Sequence, residues 1–95
     1  MNWIFFRFRQ HLQQMHEFSL AQGLTRQLED LARQHKAQKI CTVRVAIGIR
    51  SGIVVDSFTF GFEVLAKEDT LLQEAILEIS EPDGDDLILL QVEME

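Results

Sequence analysis

Cysteine and proline each occur once, as Cys41 and Pro82, and tyrosine is absent. A lone cysteine cannot close an internal disulfide, and without a C-x-x-C pair no zinc-thiolate site is expected, so the cysteine usage carries no sign of secretion and a cytoplasmic location is the expectation. Basic residues are also scarce: nine Lys and Arg stand against fifteen Asp and Glu, for a net charge of -6. No basic cluster extends beyond Arg7 and Arg9, which argues against nucleic-acid binding through phosphate contacts and leaves a cation, a basic surface or a protein patch as the partner. Long apolar runs are missing too. The opening run, Trp3 to Phe6, falls far short of the roughly 20 residues of a membrane span. Its charges follow the apolar run, where a signal peptide carries them before it, and no small-residue cleavage site appears. No Ser-His-Asp set, Gly-rich phosphate loop or recognisable acid/base pair of carboxylates is present, so the chain is not expected to be an enzyme.

What is present describes one domain: 95 residues, 46% of them hydrophobic, enough to bury roughly 60–65% of the unfolded surface. From Phe18 to about Lys36, Leu20, Leu24, Leu28 and Leu31 recur at three- and four-residue steps, the pattern of an amphipathic helix. Ser19 and Gln22 have the spacing of a capping box at its start. Cys41, Val43, Val45 and Ile47 then alternate with Thr42, Arg44 and Ala46, the period of a strand with one buried face. Gly48 and Gly52 mark a loop, after which Val55, Phe58, Phe62 and Leu65 predict a second helix, with Phe60 and Val64 widening its apolar face and Asp56 or Ser57 near its start. Ala75, Leu77 and Ile79 predict a further strand, and Ile88, Leu90, Val92 and Met94 a last one with Gln91, Glu93 and Glu95 opposite. The short "EPDGDD" between them predicts an antiparallel hairpin. The expected fold is α+β and two-layered, a three-stranded sheet with both helices on one face, in the order helix, strand, helix, strand, strand.

Four pieces in this order, "MHEFSLAQGLTRQLEDLA", "VRVAIGIRSGIVVDSFTFGFEVLA", "EAILEIS" and "LLQVEME", resemble the HypA family of hydrogenase and urease nickel-incorporation proteins. The resemblance runs from Met15 to Glu95 and implies a HypA-like nickel-binding domain over that range. It implies that His16 supplies an imidazole to Ni(II), that backbone nitrogens of the first residues, Met15 included, complete a flat coordination set, and that Glu17 supports the site. Square-planar nitrogen donors suit Ni(II), and a free terminal amine anchors the ion while neighbouring amides lose their protons. An internal Met15 has no such amine. The implied partners are the HypB-type GTPase and the hydrogenase large subunit, and the implied role is that of a metallochaperone for nickel-enzyme maturation. A metal-free adaptor or regulatory module on the same fold is the alternative.

Two departures from the family stand out. Residues 1–14 fall outside the resemblance and are expected to be disordered or a misassigned start; the alternative is a genuine extension whose Trp3, Phe5, Phe6 and Phe8 cover an apolar groove or a partner. The family's zinc module, with two C-x-x-C pairs between the last two strands, is reduced to "SEPDGDD", so no structural zinc is expected. Elsewhere, His35 suits the carbonyl end of the first helix, His11 is expected to be exposed or untranslated, and Cys41 reads as a small buried hydrophobe. "PDGDD" lacks the twelve-residue ligand pattern of an EF-hand and reads as a turn with Gly84 at positive φ. No oligomeric state follows from the sequence.

Overall fold

The computed structural model describes residues 2–10 and 17–95. Its elements are β1 (Asn2–Gln10), α1 (Glu17–Gln34), β2 (Ile40–Ile47), α2 (Val55–Lys67), β3 (Ile76–Ser80) and β4 (Leu87–Met94). From α1 onward the order is the expected one, two helices with three strands of a mixed sheet. β1 adds a fourth strand, and the sheet runs β1-β4-β2-β3. Residues 2–10, in the stretch outside the family resemblance, lie antiparallel along β4, Asn2 opposite Met94 and Gln10 opposite Leu87.

The expected hairpin of the last two strands is not formed. β3 lies parallel to β2 on one side, with Thr42 opposite Ile76 and Ala46 opposite Ser80, and β4 lies antiparallel to β2 on the other. The physical reason is the helix between β2 and β3: a crossover through α2 returns the chain in the original direction, which makes a parallel pair. β2 is therefore the central strand. Its sequence carries that signature, because Thr42 and Ala46 on the open face are buried along with Ile40, Val43, Val45 and Ile47 on the helical face.

The "EPDGDD" segment crosses the end of β2 instead of turning directly between neighbours. Three backbone bonds hold it there, from Gly48 N–H to the Asp86 carbonyl, Ile49 N–H to that of Pro82 and Arg50 N–H to that of Gly84. The approach is so close that a Cβ on Gly48 would stand 2.2 Å from the Gly84 carbonyl oxygen. Such contact requires glycine.

Two bulges between β2 and β4 reset the alternation of these strands. Ile40 faces Met94 and Thr42 faces Glu93, leaving Cys41 as the extra residue of β2. Ile40 thus takes the core position expected of Cys41, which is only half-buried. In β4, Arg44 faces Gln91 and Val45 faces Leu89, so Leu90 is the extra residue. The buried set is consequently Leu87, Leu89, Val92 and Met94. Ile88 and Leu90 do not join it as strict alternation predicts, because one inserted residue transfers the following side chains to the other face.

The core lies between the sheet and the paired helices. Leu20, Leu24 and Leu28 of α1 and Phe58 and Phe62 of α2 meet the inner faces of β2 and β4. Gly61 lets the helices approach: a Cβ there would lie 3.2 Å from Phe18 Cδ1 and 3.5 Å from Ala21 Cβ. Phe60 and Val64, expected to widen the buried face of α2, are instead 68% and 43% exposed. At about 100° per residue, Phe60 stands about 160° around the axis from both Phe58 and Phe62 and cannot share their side. α2 is preceded by Val54 as N-cap, with no side-chain capping bond, so Asp56 and Ser57 fall inside its first turn. Its carboxylate there favours the helix dipole, but Asp56 does not cap.

At the other end of α1 the chain stops in a Schellman turn. Ala37 N–H reaches the Ala32 carbonyl and Lys36 N–H that of Arg33, with Lys36 at φ 54° in the left-handed position usually given to glycine.

Candidate metal centre

Of the three residues assigned to the metal, Glu17 is described and Met15 and His16 lie outside the described residues, as does His11. Glu17 is half-buried and opens α1. Its carboxylate stands where the unsatisfied amides of the helix give a positive potential. The expected capping box is displaced. Ser19 sits in the third position of α1, and Thr25 Oγ donates to the Gln22 carbonyl. Helix continues upstream of Ser19 because Phe18 packs over Gly61 of α2, so the interhelical contact fixes the first turn. Glu17 is thereby placed at the head of α1.

The other candidate donors stand apart from this point. His35 is exposed just past Gln34, at the far end of a helix whose 18 residues span about 27 Å. Cys41 lies at the β2 bulge, where burial first, and then the charges of Glu95 and Glu93, push its thiol above the ordinary value. A thiol held protonated is a poor ligand and a poor nucleophile. In the turn, Asp83 and Asp85 are engaged by Arg50, the latter at 3.2 Å from Nε. The guanidinium occupies the position that a loop cation would need. Among the described residues no group of three or more His, Cys, Asp and Glu side chains is arranged to hold a metal ion.

The sequence reading missed the polar network on the open face of the sheet. Arg44 donates from Nε to Glu78 at 2.7 Å and from its terminal nitrogen to Gln91 at 2.9 Å. Its guanidinium lies 4.5 Å from the centre of the Trp3 ring. Beside it, Thr42 Oγ donates to Glu93 at 2.9 Å. The available signal was a charged residue in the middle of an apolar strand.

Comparison with known proteins matches residues 15–85 to the family model for hydrogenase/urease nickel incorporation, metallochaperone, HypA. The chain belongs to the HypA family. It is 40% identical over 70 residues to the hydrogenase maturation factor HypA of Alkalilimnicola ehrlichii, covering 74% of this chain and 61% of that protein. To the HypA of Cupriavidus necator it is 39% identical over 70 residues, covering 74% and 58%. The chain therefore spans about three fifths of the length of these curated relatives. Among solved structures, the Ni metallochaperone HypA from Helicobacter pylori superposes with a TM-score of 0.68 at 30% identity, over 79% of this chain and 70% of that one. The family match begins at Met15, so β1 lies outside it and the Met-His-Glu triplet at its first position. Among the described residues no helix is long and apolar enough to cross a membrane.

Proposed function

We propose that this HypA-family chain is a nickel-binding accessory protein, a metallochaperone without catalytic activity of its own, that presents Ni(II) at Met15-His16-Glu17 for the maturation of nickel enzymes, chiefly [NiFe] hydrogenase. The observation that carries the reading is that the family match opens on this triplet and that α1 begins at Glu17. His16 supplies the imidazole, backbone nitrogens from Met15 onward supply the remaining donors, and the Glu17 carboxylate supports the cationic site. Nitrogen donors in a plane select Ni(II) over metals that favour tetrahedral or oxygen-rich sites. No structural zinc enters this reading. The cargo passes between a HypB-type GTPase and the hydrogenase large subunit in the cytoplasm.

The test is calorimetric titration of Ni(II) into two forms, one beginning at Met1 and one at Met15. Because an amine at Met15 completes the donor set, one-to-one binding is expected to be tighter in the shorter form by at least about tenfold, or about 1.4 kcal/mol. His16→Ala in that form should abolish specific binding and leave the melting temperature unchanged, since His16 precedes the buried stripe of α1. Loss of nickel binding in both forms would sink metal delivery and leave a metal-free adaptor as the better account.

A further inference from the structure

The sheet has two edges, and they differ. β1 closes the β4 side. β3 pairs with β2 alone among the described residues, so the backbone N–H and C=O groups of Ile76–Ser80 that point away from β2 have no strand to bond. Exposed edges of this kind are normally shielded by charge, proline or a covering element, because they template further pairing. Behind this one lies a cleft of about 390 Å³ between α2 and β3, floored by Phe62, Ala66, Leu72, Ala75 and Leu77. That volume lies within the range of ligand pockets and admits apolar side chains. Ile76, at its mouth, is 60% exposed.

We propose that the β3 edge and the α2–β3 cleft form a docking site for an extended segment of another protein with alternating apolar and basic residues, which adds a fifth strand to the sheet.

The two faces of β3 dictate this chemistry. Leu77 and Ile79 turn toward the helical layer and pack on the core. The alternate side chains of an added strand would therefore lie beside them, over the cleft, and be apolar. On the opposite face stands Glu78, and around the site Glu63, Glu68 and Glu81 make no ion pair among the described residues, against the single similarly unpaired cation Lys67. Basic side chains on the second face of the added strand meet Glu78, whose carboxylate stays half-exposed beyond its bond to Arg44, and basic side chains at the margins of the strand meet the surplus of acid around the cleft. A second copy of the same chain fits poorly: antiparallel pairing of two β3 edges about their centres sets Glu78 opposite Glu78, a destabilising like-charge pair.

The test is nuclear magnetic resonance and amide exchange on the isotopically labelled full chain, titrated with a short end-blocked peptide alternating lysine and valine. Saturable shifts and exchange protection confined to Ile76–Ser80 and the cleft residues are expected. An alternating glutamate/valine peptide, and a lysine/valine peptide N-methylated at its central amide, should bind at least about tenfold more weakly. Glu78→Lys, which gives up the exposed ion pair with Arg44 but touches no buried residue, should reverse the preference toward the glutamate/valine peptide. Ala75→Phe should fill the cleft and weaken the lysine/valine peptide. Equal binding of both peptides, shifts elsewhere on the molecule, or edge protection that grows with protein concentration in the absence of peptide would each overturn the proposal, the last in favour of self-association.

Discussion

The two faces of the sheet are held by different physics. Toward the helices, Phe58, Phe62, Leu20, Leu24 and Leu28 meet Ile40, Val43, Val45, Leu89 and Val92 with almost no exposure, and no ionic group takes part. On the open face, Arg44 of β2 ties all four strands together through Glu78, Gln91 and the Trp3 ring, and Thr42 bonds Glu93 across the β2–β4 pair. The inner face contributes most of the driving force, since apolar burial scales with area and needs no particular geometry. The open face contributes little energy per contact but requires specific registers. One face supplies stability, and the other selects which strand lies beside which.

This division can be broken most severely from the inside. Phe58→Ala removes a fully buried ring and should cost about 3–5 kcal/mol, a large part of the roughly 5–14 kcal/mol available to a domain of this size. Urea unfolding with an unchanged slope checks it, and the loss should not depend on salt. A loss under about 1 kcal/mol would show that the inner face is not the main support.

Arg44→Met should cost about 1 kcal/mol, the sum of an exposed ion pair and an exposed cation–π contact. The comparison predicts that this cost shrinks in concentrated salt, where the Phe58 effect persists. Trp3→Ala made on top of Arg44→Met should add less than it does alone, because the two side chains share one contact. Full additivity would mean that the stacking carries no energy.

The smallest effect lies between the helical layer and solvent. Glu29 on α1 is hydrogen-bonded to Asp69, and this bond, with burial and the Asp69 charge, raises its carboxyl above the ordinary value. Because the folded-state value is raised, the stabilisation from the bound proton is complete below the unfolded value of about 4.3 and is lost as pH rises through the folded value. Glu29→Gln should therefore raise stability at neutral pH by only a few tenths of a kcal/mol, given the exposure of the pair. The gain should vanish below about pH 4 in thermal melts run across the range. A gain that grew on acidification would reverse the sign of this account.

The sequence by itself determined the helices, the three strands that follow and their order, because burial with period 3.6 or 2 is written along the chain. Leu20, Leu24 and Leu28 are buried as their spacing predicts, and so are Val43, Val45 and Ile47. Its triplet at Met15 to Glu17 and the pieces that follow also carried the family. The tertiary structure alone decided which strands are neighbours, which faces reverse at Cys41 and Leu90, and that Phe60 and Val64 remain outside. Pairing depends on contacts remote in the chain: a turn as short as "EPDGDD" is compatible with a hairpin until the crossover through α2 places β3 parallel to β2. A bulge is a single extra residue with no composition of its own, so the period gives no notice of it, while every side chain beyond it changes face. The edge of β3 belongs to the same class, since a strand has a free edge only by virtue of what the rest of the fold has left unpaired.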